Sequence, residues 1–576
     1  VDLRELKQTD IWNLYERGRN YMRMMHIFSD TDKNYRFYSG NQWEGAKING
    51  IEQAQFNFIE TIVNYKTSTI NNNLWGIHYS SENFENREFR KTAENTCELL
   101  NKKATKVWEK DSLDLKIREL SDDSAINDEA IIYVDYEEDT QSPKNEVLSK
   151  NDVQYGNENE SDIQKQPYII IKQRLPLITV EQMAIKAGVS KEKIALIGVD
   201  HDNFEQAGDD AKYEKEEMCT LITKMWKEEG TVHFAKSVKY VEIKEDTNTG
   251  LSLYPIAHFI WKQKKGSARG EGEVRFLIPN QIELNKTLAR MLLAVKQSSY
   301  PQKVVNMDKI QNPSAVNQIG GIIKTKNGTT IDDVSKIFGN IQPAQMSGDV
   351  QTLIQNLISI TRELKNASDI ATGGVDPEKA SGKAILAIQQ ASQQPLVRQL
   401  SGLKKFIEDL ARIWLDMWIV YTPDGLTLEE TQTDSQTNEA YTQLVKIPAT
   451  VMKQLQADVK VDITPKSAFD KYAQELSLEN LLKGGFFNPQ MIPQLKLYVN
   501  ALSDDSVMPK QKLLDIIEQA EEEQRKIAEI NAKAQMLKQR ASQFINNDIH
   551  GQASQIATAQ QEVGKEEVQP EETYVA

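Results

Sequence analysis

Any chemistry this chain performs has to come from a small set of side chains. Six histidines, His26, His78, His201, His233, His258 and His550, are scattered along the sequence. No two stand at metal-ligand spacing and none sits in an HExxH, so each reads as a surface or strand-packing residue. Cys97 and Cys219 are the only thiols. They are too few for a four-ligand zinc site or a disulfide framework, and neither has the sequence surroundings of a nucleophile. No GxSxG elbow occurs. The acidic cluster SDDS, Ser121 to Ser124, has carboxylates enough to attract a divalent ion, but it reads as a solvated helix terminus. The string ASGKA imitates the end of a phosphate-binding loop through Gly382 and Lys383. It fails the motif, because the first glycine would fall on Pro377, Ala384 stands where Ser or Thr is needed, and no strand signal precedes it. The expectation is therefore no catalytic, cofactor-binding or metal-ligating residues, and no cofactor.

Without a reaction centre, the elements themselves become the object of interest. The 576 residues are enough for three or four modules, and 39% hydrophobic with 27% charged residues is the composition of a folded chain. The formal net charge of -15 argues against a protein that grips nucleic acid by broad phosphate neutralisation. The longest apolar run, ARIWLDMWIVY, is broken by Asp416 and is too short for a membrane span, and the charged start VDLRELKQTD does not read as a signal peptide. A cytoplasmic protein, or a particle assembled there, is expected.

The first 120 residues read as helical, with helices expected near Phe56 to Asn73 and Glu85 to Lys110. AIIYVDY and PYIIIKQR are strand signals, separated by an acidic stretch, about 137–166, that reads as a flexible surface insertion. A hairpin is expected around Glu229 and Gly230. Val180 to Ile197 superficially resembles a helix-turn-helix, but reads as a short helical hairpin packing on a sheet. Pro279 and Asn280 mark the entrance of a helix ending before Pro301, and a Gly- and Pro-rich segment, Gln302 to Met346, follows. A second helix opens near Ser347 or Asp349 and carries Val350, Leu353, Ile354, Leu357, Ile358 and Leu364 on one face. After a glycine-containing loop, Ala371 to Lys383, the residues Leu396, Leu400, Leu403, Ile407, Leu410, Trp414, Met417 and Tyr421 repeat by fours and threes, a seam that calls for sustained helix-to-helix contact. Pro395 is expected to kink this helix. VKVDITP is strand-like, further helices are expected over Phe469 to Leu482 and Pro489 to Leu502, and a last polar helix from Pro509 frays into a tail from Gly551.

This order of parts, with the strings NYRFYSGNQW, YPIAHFIW, IPNQIELNKTLAR, YPQKVV, PEKASGKAILAIQQAS and VDITPKSAFDKYAQE, resembles the portal proteins of tailed bacteriophages infecting Gram-positive bacteria. The resemblance implies an α+β, mainly helical fold of portal type. Its parts would be a wing (1–273), a first stem helix (274–300), a clip (301–346), a second stem helix (347–370), a tunnel loop (371–383), a kinked wing helix (384–421), completion of the wing and the start of a crown (422–505), crown helices (506–550) and a disordered tail (551–576). It implies a non-enzymatic homo-oligomeric ring, commonly of twelve copies, at a unique capsid vertex of the virion, assembled in the host cytoplasm. The implied partners are viral double-stranded DNA, the terminase large subunit, head-tail adaptor or tail proteins, and the major capsid and scaffolding proteins, with no membrane.

On that reading Gly373, Gly374, Lys379, Ser381 and Lys383 line the DNA channel, Leu292, Leu353, Ile354 and Leu357 pack between subunits, Pro395 kinks a helix, and Lys324 and Lys326 meet a partner at the clip. From Gln281 to Tyr300, Lys286, Arg290 and Lys296 outnumber Glu283, a local charge of +2 against -15 overall. The competing expectation is an oligomeric adaptor or scaffold that uses the heptad-like helix to bind partners and does not encircle DNA.

Overall fold

In the computed structural model the described residues are most of 7–367 and 394–455, with shorter stretches between 459 and 536; among those outside them are 1–6, 47–51, 201–216, 327–337, 342–348, 368–393, 434–439, 463–476 and 537–576. The chain divides into two units, Val1–Pro465 and Lys466–Ala576.

The larger unit begins with helices α1 (Asp10–Met24), α2 (Ile27–Ser39), α3 (Phe58–Asn71), α4 (Arg87–Lys110) and α5 (Leu113–Asn127). Local chemistry sets their ends. Thr9 caps α1 by accepting from the Trp12 amide, Asn57 caps α3, and Gly40, at φ 89°, closes α2 in a conformation that costs glycine little. Helix α5 packs on a three-stranded sheet of order β3-β2-β9, made by β2 (Glu129–Glu137), β3 (Ser142–Leu148) and β9 (Ile256–Ile260). Strand β2 is central, and Ile131 and Ile132, which point to opposite faces, are both fully buried.

A second sheet of five antiparallel strands runs β4-β5-β6-β7-β8: β4 (Val153–Tyr155), β5 (Tyr168–Pro176), β6 (Met218–Glu228), β7 (Thr231–Ser237) and β8 (Glu242–Asn248). The expected hairpin joins β6 and β7, with Glu229 and Gly230 both at positive φ (50° and 84°), the backbone that a two-residue turn between twisted strands requires. Helices α6 (Leu177–Lys186) and α7 (Lys191–Ile194) form the expected helical hairpin. Val180, Ala184 and Ile197 bury themselves against Cys219 and Leu221 of β6, which leaves the segment as a packing device on the sheet.

Two strand expectations need correcting. AIIYVDY and PYIIIKQR belong to different sheets, and the acidic stretch between them is ordered structure rather than a flexible insertion. It supplies β3 and β4, and Asn145, Asn151, Gln154 and Gln166 within it are buried. Its polar composition is explained by internal hydrogen bonding. Gln166 donates to the carbonyls of Asn157 and Glu160, and Asn145 donates to Asp111 and accepts from Trp414.

Helices α8 (Val274–Ser299), α9 (Asp349–Leu364), α10 (Val397–Tyr421) and α11 (Ala449–Leu455) follow, with α12 (Ile492–Ala501) in the smaller unit. Strands β10 (Gln302–Val305) and β11 (Phe338–Ile341) pair between α8 and α9. Strands β12 (Leu426–Thr433) and β13 (Ala440–Ile447) form a hairpin, and β14 (Val459–Asp462) pairs with β1 (His78–Ser81).

The heptad-like seam lies in α10, but its main partner is a sheet. Leu403, Ile407, Leu410, Trp414 and Met417 are buried together with Phe406, Ala411, Ile413 and Trp418, so the helix is covered on nearly all sides. Phe406 meets Phe259 of β9 edge-on with ring centroids 6.3 Å apart, and α11 adds a helical contact. At about 1.5–3 kcal/mol for each large apolar side chain fully buried, this helix is among the strongest stabilisers of the unit. Asp416, the charge that interrupts the apolar run, is buried and accepts from the Ser252 amide (2.8 Å), the Ser252 hydroxyl (3.0 Å) and the Leu253 amide (3.0 Å), so it ties α10 to the approach of β9. Pro395 does not interrupt α10. It lies in a short 3-10 turn, Gln394–Leu396, immediately before it, and residues 384–393 are outside the described set.

The SDDS cluster is not a solvated terminus either. It is the penultimate turn of α5, with Ser121 and Ser124 buried and bonded to backbone carbonyls, while burial pushes the pKa values of Asp122 and Asp123 up. Among the described residues no helix is long and apolar enough to cross a membrane.

Candidate functional site

Of the residues singled out by sequence, Leu292, Leu353, Ile354, Leu357, Lys324 and Lys326 fall on two helices and the module between them. Helix α8 starts at Val274, so Pro279 and Asn280 lie inside it rather than at its entrance. As the sixth residue of the helix, Pro279 has no N–H to donate to the Arg275 carbonyl, so α8 lacks that bond near its start. With 26 residues the helix is roughly 39 Å long at 1.5 Å per residue.

Its first half is built into the helical layer. Leu277, Ile278, Leu284 and Ala289 are buried, and a belt of amides fixes their register. Gln281 donates to the Phe56 carbonyl (2.8 Å) and to Asn285 (2.9 Å), and accepts from the Phe58 amide. Asn285 donates to Gln42 (2.6 Å), which in turn donates to the Phe37 carbonyl and to Asn57. Two strings that carried the resemblance, NYRFYSGNQW and IPNQIELNKTLAR, thus meet through Gln42, Gln281 and Asn285. Buried amides need such partners, and here each supplies another's.

The second half leaves the layer. Leu292 is 40% exposed and Val295 53%. Of the cations in residues 281–300, Lys286 pairs with Glu283 (2.8 Å) and Lys296 with Glu52 (3.0 Å), an acid from outside the helix that offsets part of the local positive charge.

Helix α9 packs on α8, and Asn280 donates to Thr361 at 3.0 Å. Thr361 is its only buried residue among those described. The apolar face read from sequence is largely uncovered in the single subunit. Leu353 is 49%, Ile360 53% and Leu364 73% exposed, while Ile354, Leu357 and Ile358 are half-buried. The helix ends at Leu364, short of Ile370. Asn366 turns left-handed (φ 56°), and Ala367 bonds back to Arg362 through its amide and carbonyl. Gly373, Gly374, Lys379, Ser381 and Lys383 come next and lie outside the described residues.

An ionic knot holds the root of this helix pair. Glu273, directly before α8, meets Lys66 of α3 at 3.0 Å and Lys365, directly after α9, at 2.9 Å, and accepts a long bond from the Trp261 indole. Burial works to raise the Glu273 pKa, but the two ammonium groups outweigh it and hold the carboxyl below its ordinary value; burial pushes Lys66 down. Gly270 and Gly272 bring the chain to this point. A Cβ on Gly272 would lie 2.9 Å from the backbone of both Ala125 and Asp128, so only glycine fits. A second buried network lies beside it. Glu129, fully buried, takes Arg269 at 2.6 Å and His258 at 2.8 Å, and Glu158 clamps Arg269 from the other side. His258 is thus a packing histidine in an ion network.

Between α8 and α9, β10 and β11 frame a small module with its own core of Ile310 and Val316, against which Val305 and Phe338 pack. Lys303 donates to the Val316 carbonyl, and Asn312 accepts from the Lys324 amide. Lys324 and Lys326 are exposed, as are Val304 (57%), Met307 (57%), Ile322 (78%) and Ile341 (53%). This is a heavy apolar exposure for so small a unit.

Comparison with known families fits this arrangement. Residues 172–572 match the family of Phage P22-like portal proteins. The chain belongs to that family. Portal proteins of this kind are structural phage proteins, which agrees with the lack of a catalytic constellation in the sequence, and the family implies a homo-oligomeric ring associated with the capsid. No curated protein matches the chain. The match begins within β5, so the first helical layer falls outside it, and the Gln42–Asn285 belt and the Lys66–Glu273 bridge are among the contacts that join that layer to the matched segment.

Proposed function

We propose that this portal protein forms a ring of twelve subunits at one capsid vertex, through which double-stranded DNA is packaged and ejected. The supporting observation is the exposed apolar stripe on α8 and α9. A helix pair rooted by buried ionic and amide contacts, yet carrying Leu292, Leu353, Ile360 and Leu364 in the open, is suited to packing against copies of itself. In this reading α8 and α9 are the stem and Ile354 and Leu357 join the contact between subunits.

Residues 301–346 are then the clip, with Lys324, Lys326 and the surrounding apolar side chains offered to the terminase large subunit and to head-tail adaptor or tail proteins. The wing carries the contacts to major capsid and scaffolding proteins. The loop 371–383 is the tunnel loop, with Lys379 and Lys383 touching phosphates transiently. A chain of net charge -15 suits a conduit, because DNA that must slide cannot be held by many cations. Assembly in the host cytoplasm completes the reading.

The adaptor alternative is disfavoured by α10, whose seam is spent on the subunit's own core and is not offered to a partner. Imaging and native mass measurement of the purified chain test the proposal. Closed hollow rings of twelve are expected, whereas monomers or open filaments at micromolar concentration would refute it.

A further inference from the structure

Strands β6, β7 and β8 bring together three side chains of metal-ligating type that belong to neither α8 nor α9. Thr231 pairs with Glu228 and His233 with Trp226 across β6 and β7, so Glu228 and His233 point to the same face of the sheet. On the other side His233 pairs with Asn248 and Phe234 with Thr247, but the next pair is Lys236 with Lys244. Glu245 and Asp246 therefore both stand opposite Ala235; Asp246, two residues from Asn248, shares the face of His233, with its Oδ1 2.7 Å from Nδ1. One donor atom from each of Glu228, His233 and Asp246 lies within 4.8 Å of the other two.

That spacing is close to what an ion needs. Ligands about 2.0–2.2 Å from a zinc-type ion stand roughly 3–4 Å from one another, so a small side-chain rotation of exposed Glu228 closes the set. The 2.7 Å contact is a hydrogen bond, and its two atoms have to separate by roughly 0.5 Å to share one ion. The imidazole is held in place, with its ring 5.8 Å from that of Trp226 and only 15% of the side chain exposed. One neutral imidazole and two carboxylates carry a charge of about -2, which matches a divalent cation. A nitrogen among the donors favours zinc and its transition-metal neighbours over magnesium or calcium, which take oxygen throughout.

We propose that Glu228, His233 and Asp246 bind one divalent transition-metal ion, of the zinc class, that ties β6, β7 and β8 together at one end of the five-stranded sheet. The His233 Nδ1 gives up its hydrogen bond to Asp246 and becomes a ligand, with the ring proton on Nε2. Water fills what remains of the coordination shell.

The test uses the full chain stripped with a chelator and then titrated with zinc chloride by calorimetry, in parallel with Glu228→Gln and His233→Gln. The unmodified chain should take up one more tight zinc ion per subunit than either variant, or bind it at least tenfold more tightly. Its melting temperature should rise with zinc by more than theirs, while all three melt together when stripped. Equal zinc stoichiometry and affinity in the three proteins would overturn the proposal, as would magnesium or calcium binding at this place as tightly as zinc. A stripped Glu228→Gln that melts like the unmodified chain but binds less zinc separates loss of a ligand from loss of folding.

Discussion

Replacing Leu353 and Leu357 together by Asp addresses ring assembly while sparing the subunit. Leu353 is 49% exposed within the subunit and Leu357 half-buried, so the isolated chain gains little from burying them. Full burial of a leucine is worth about 1.5–3 kcal/mol, so covering the exposed half of Leu353 in a ring contributes roughly 1 kcal/mol, and Leu292 and Ile360 offer similar amounts. Aspartate loses that gain and places charge in an apolar contact, at several kcal/mol per interface before relaxation. A closed ring repeats this penalty at every junction. Sedimentation and native mass spectra of the double variant should show subunits at concentrations where the unmodified chain is fully assembled, with the thermal transition of the subunit nearly unchanged. Intact rings at unchanged concentration would refute the assignment of this face, and a collapsed melting transition would show that the leucines belong to the subunit's own core.

Glu273→Gln leaves Lys66 and Lys365 facing each other without their shared anion, and should cost about 3–5 kcal/mol in denaturant unfolding. Because the folded state holds the Glu273 carboxyl below the free-chain value of 4.5, its contribution is fully present above that pH and fades as pH falls through the folded value, a loss the Gln variant should not show. Asp416→Ala removes the buried carboxylate that accepts from the Ser252 and Leu253 amides, and should lower stability by about 1–3 kcal/mol in the same assay. Deleting residues 302–346 with a short linker should leave subunit folding intact by circular dichroism while abolishing co-sedimentation with terminase or adaptor. Neutralising Lys379 and Lys383 should change DNA retention in packaging assays with ring assembly unaltered, and normal retention would remove the loop from the channel wall.

The helices were legible because their signals are local. The period of α9, the cap of α3 at Asn57 and the Glu229–Gly230 turn each depend on residues within a few positions of one another. Strands were recognised as strands, but their assignment to sheets was not, since β2 and β5 carry the same β-branched signature and only long-range pairing separates them. The acidic stretch was misread because polar composition normally marks exposure. Here Asn145 and Gln166 are buried among hydrogen-bond partners, and the Trp414 indole that donates to Asn145 is 269 positions away in the chain. The Glu273 knot draws on residues 66, 273 and 365, and the Glu228, His233 and Asp246 cluster depends on the pairing register of three strands. No spacing rule along the chain would have found either.

The way the stem pair is anchored bears on why its apolar face can remain open. An exposed stripe of leucine and isoleucine would ordinarily be drawn into the nearest core, and a lone helix as short as α9, roughly 24 Å, has little intrinsic stability to resist. Three groups of contacts oppose that collapse: the Gln42–Gln281–Asn285 belt on α8, the Asn280–Thr361 bond between the helices, and the Glu273 bridge that joins Lys365 to Lys66. All three are polar and directional, so they fix the orientation of the helices without covering Leu353, Ile360 or Leu364. An apolar root would offer no such selectivity, because it would gain equally from burying the stripe. Weakening Glu273 should therefore impair ring formation beyond what its cost to subunit stability explains, and equal losses in assembly and in folding would show that the knot only stabilises the fold.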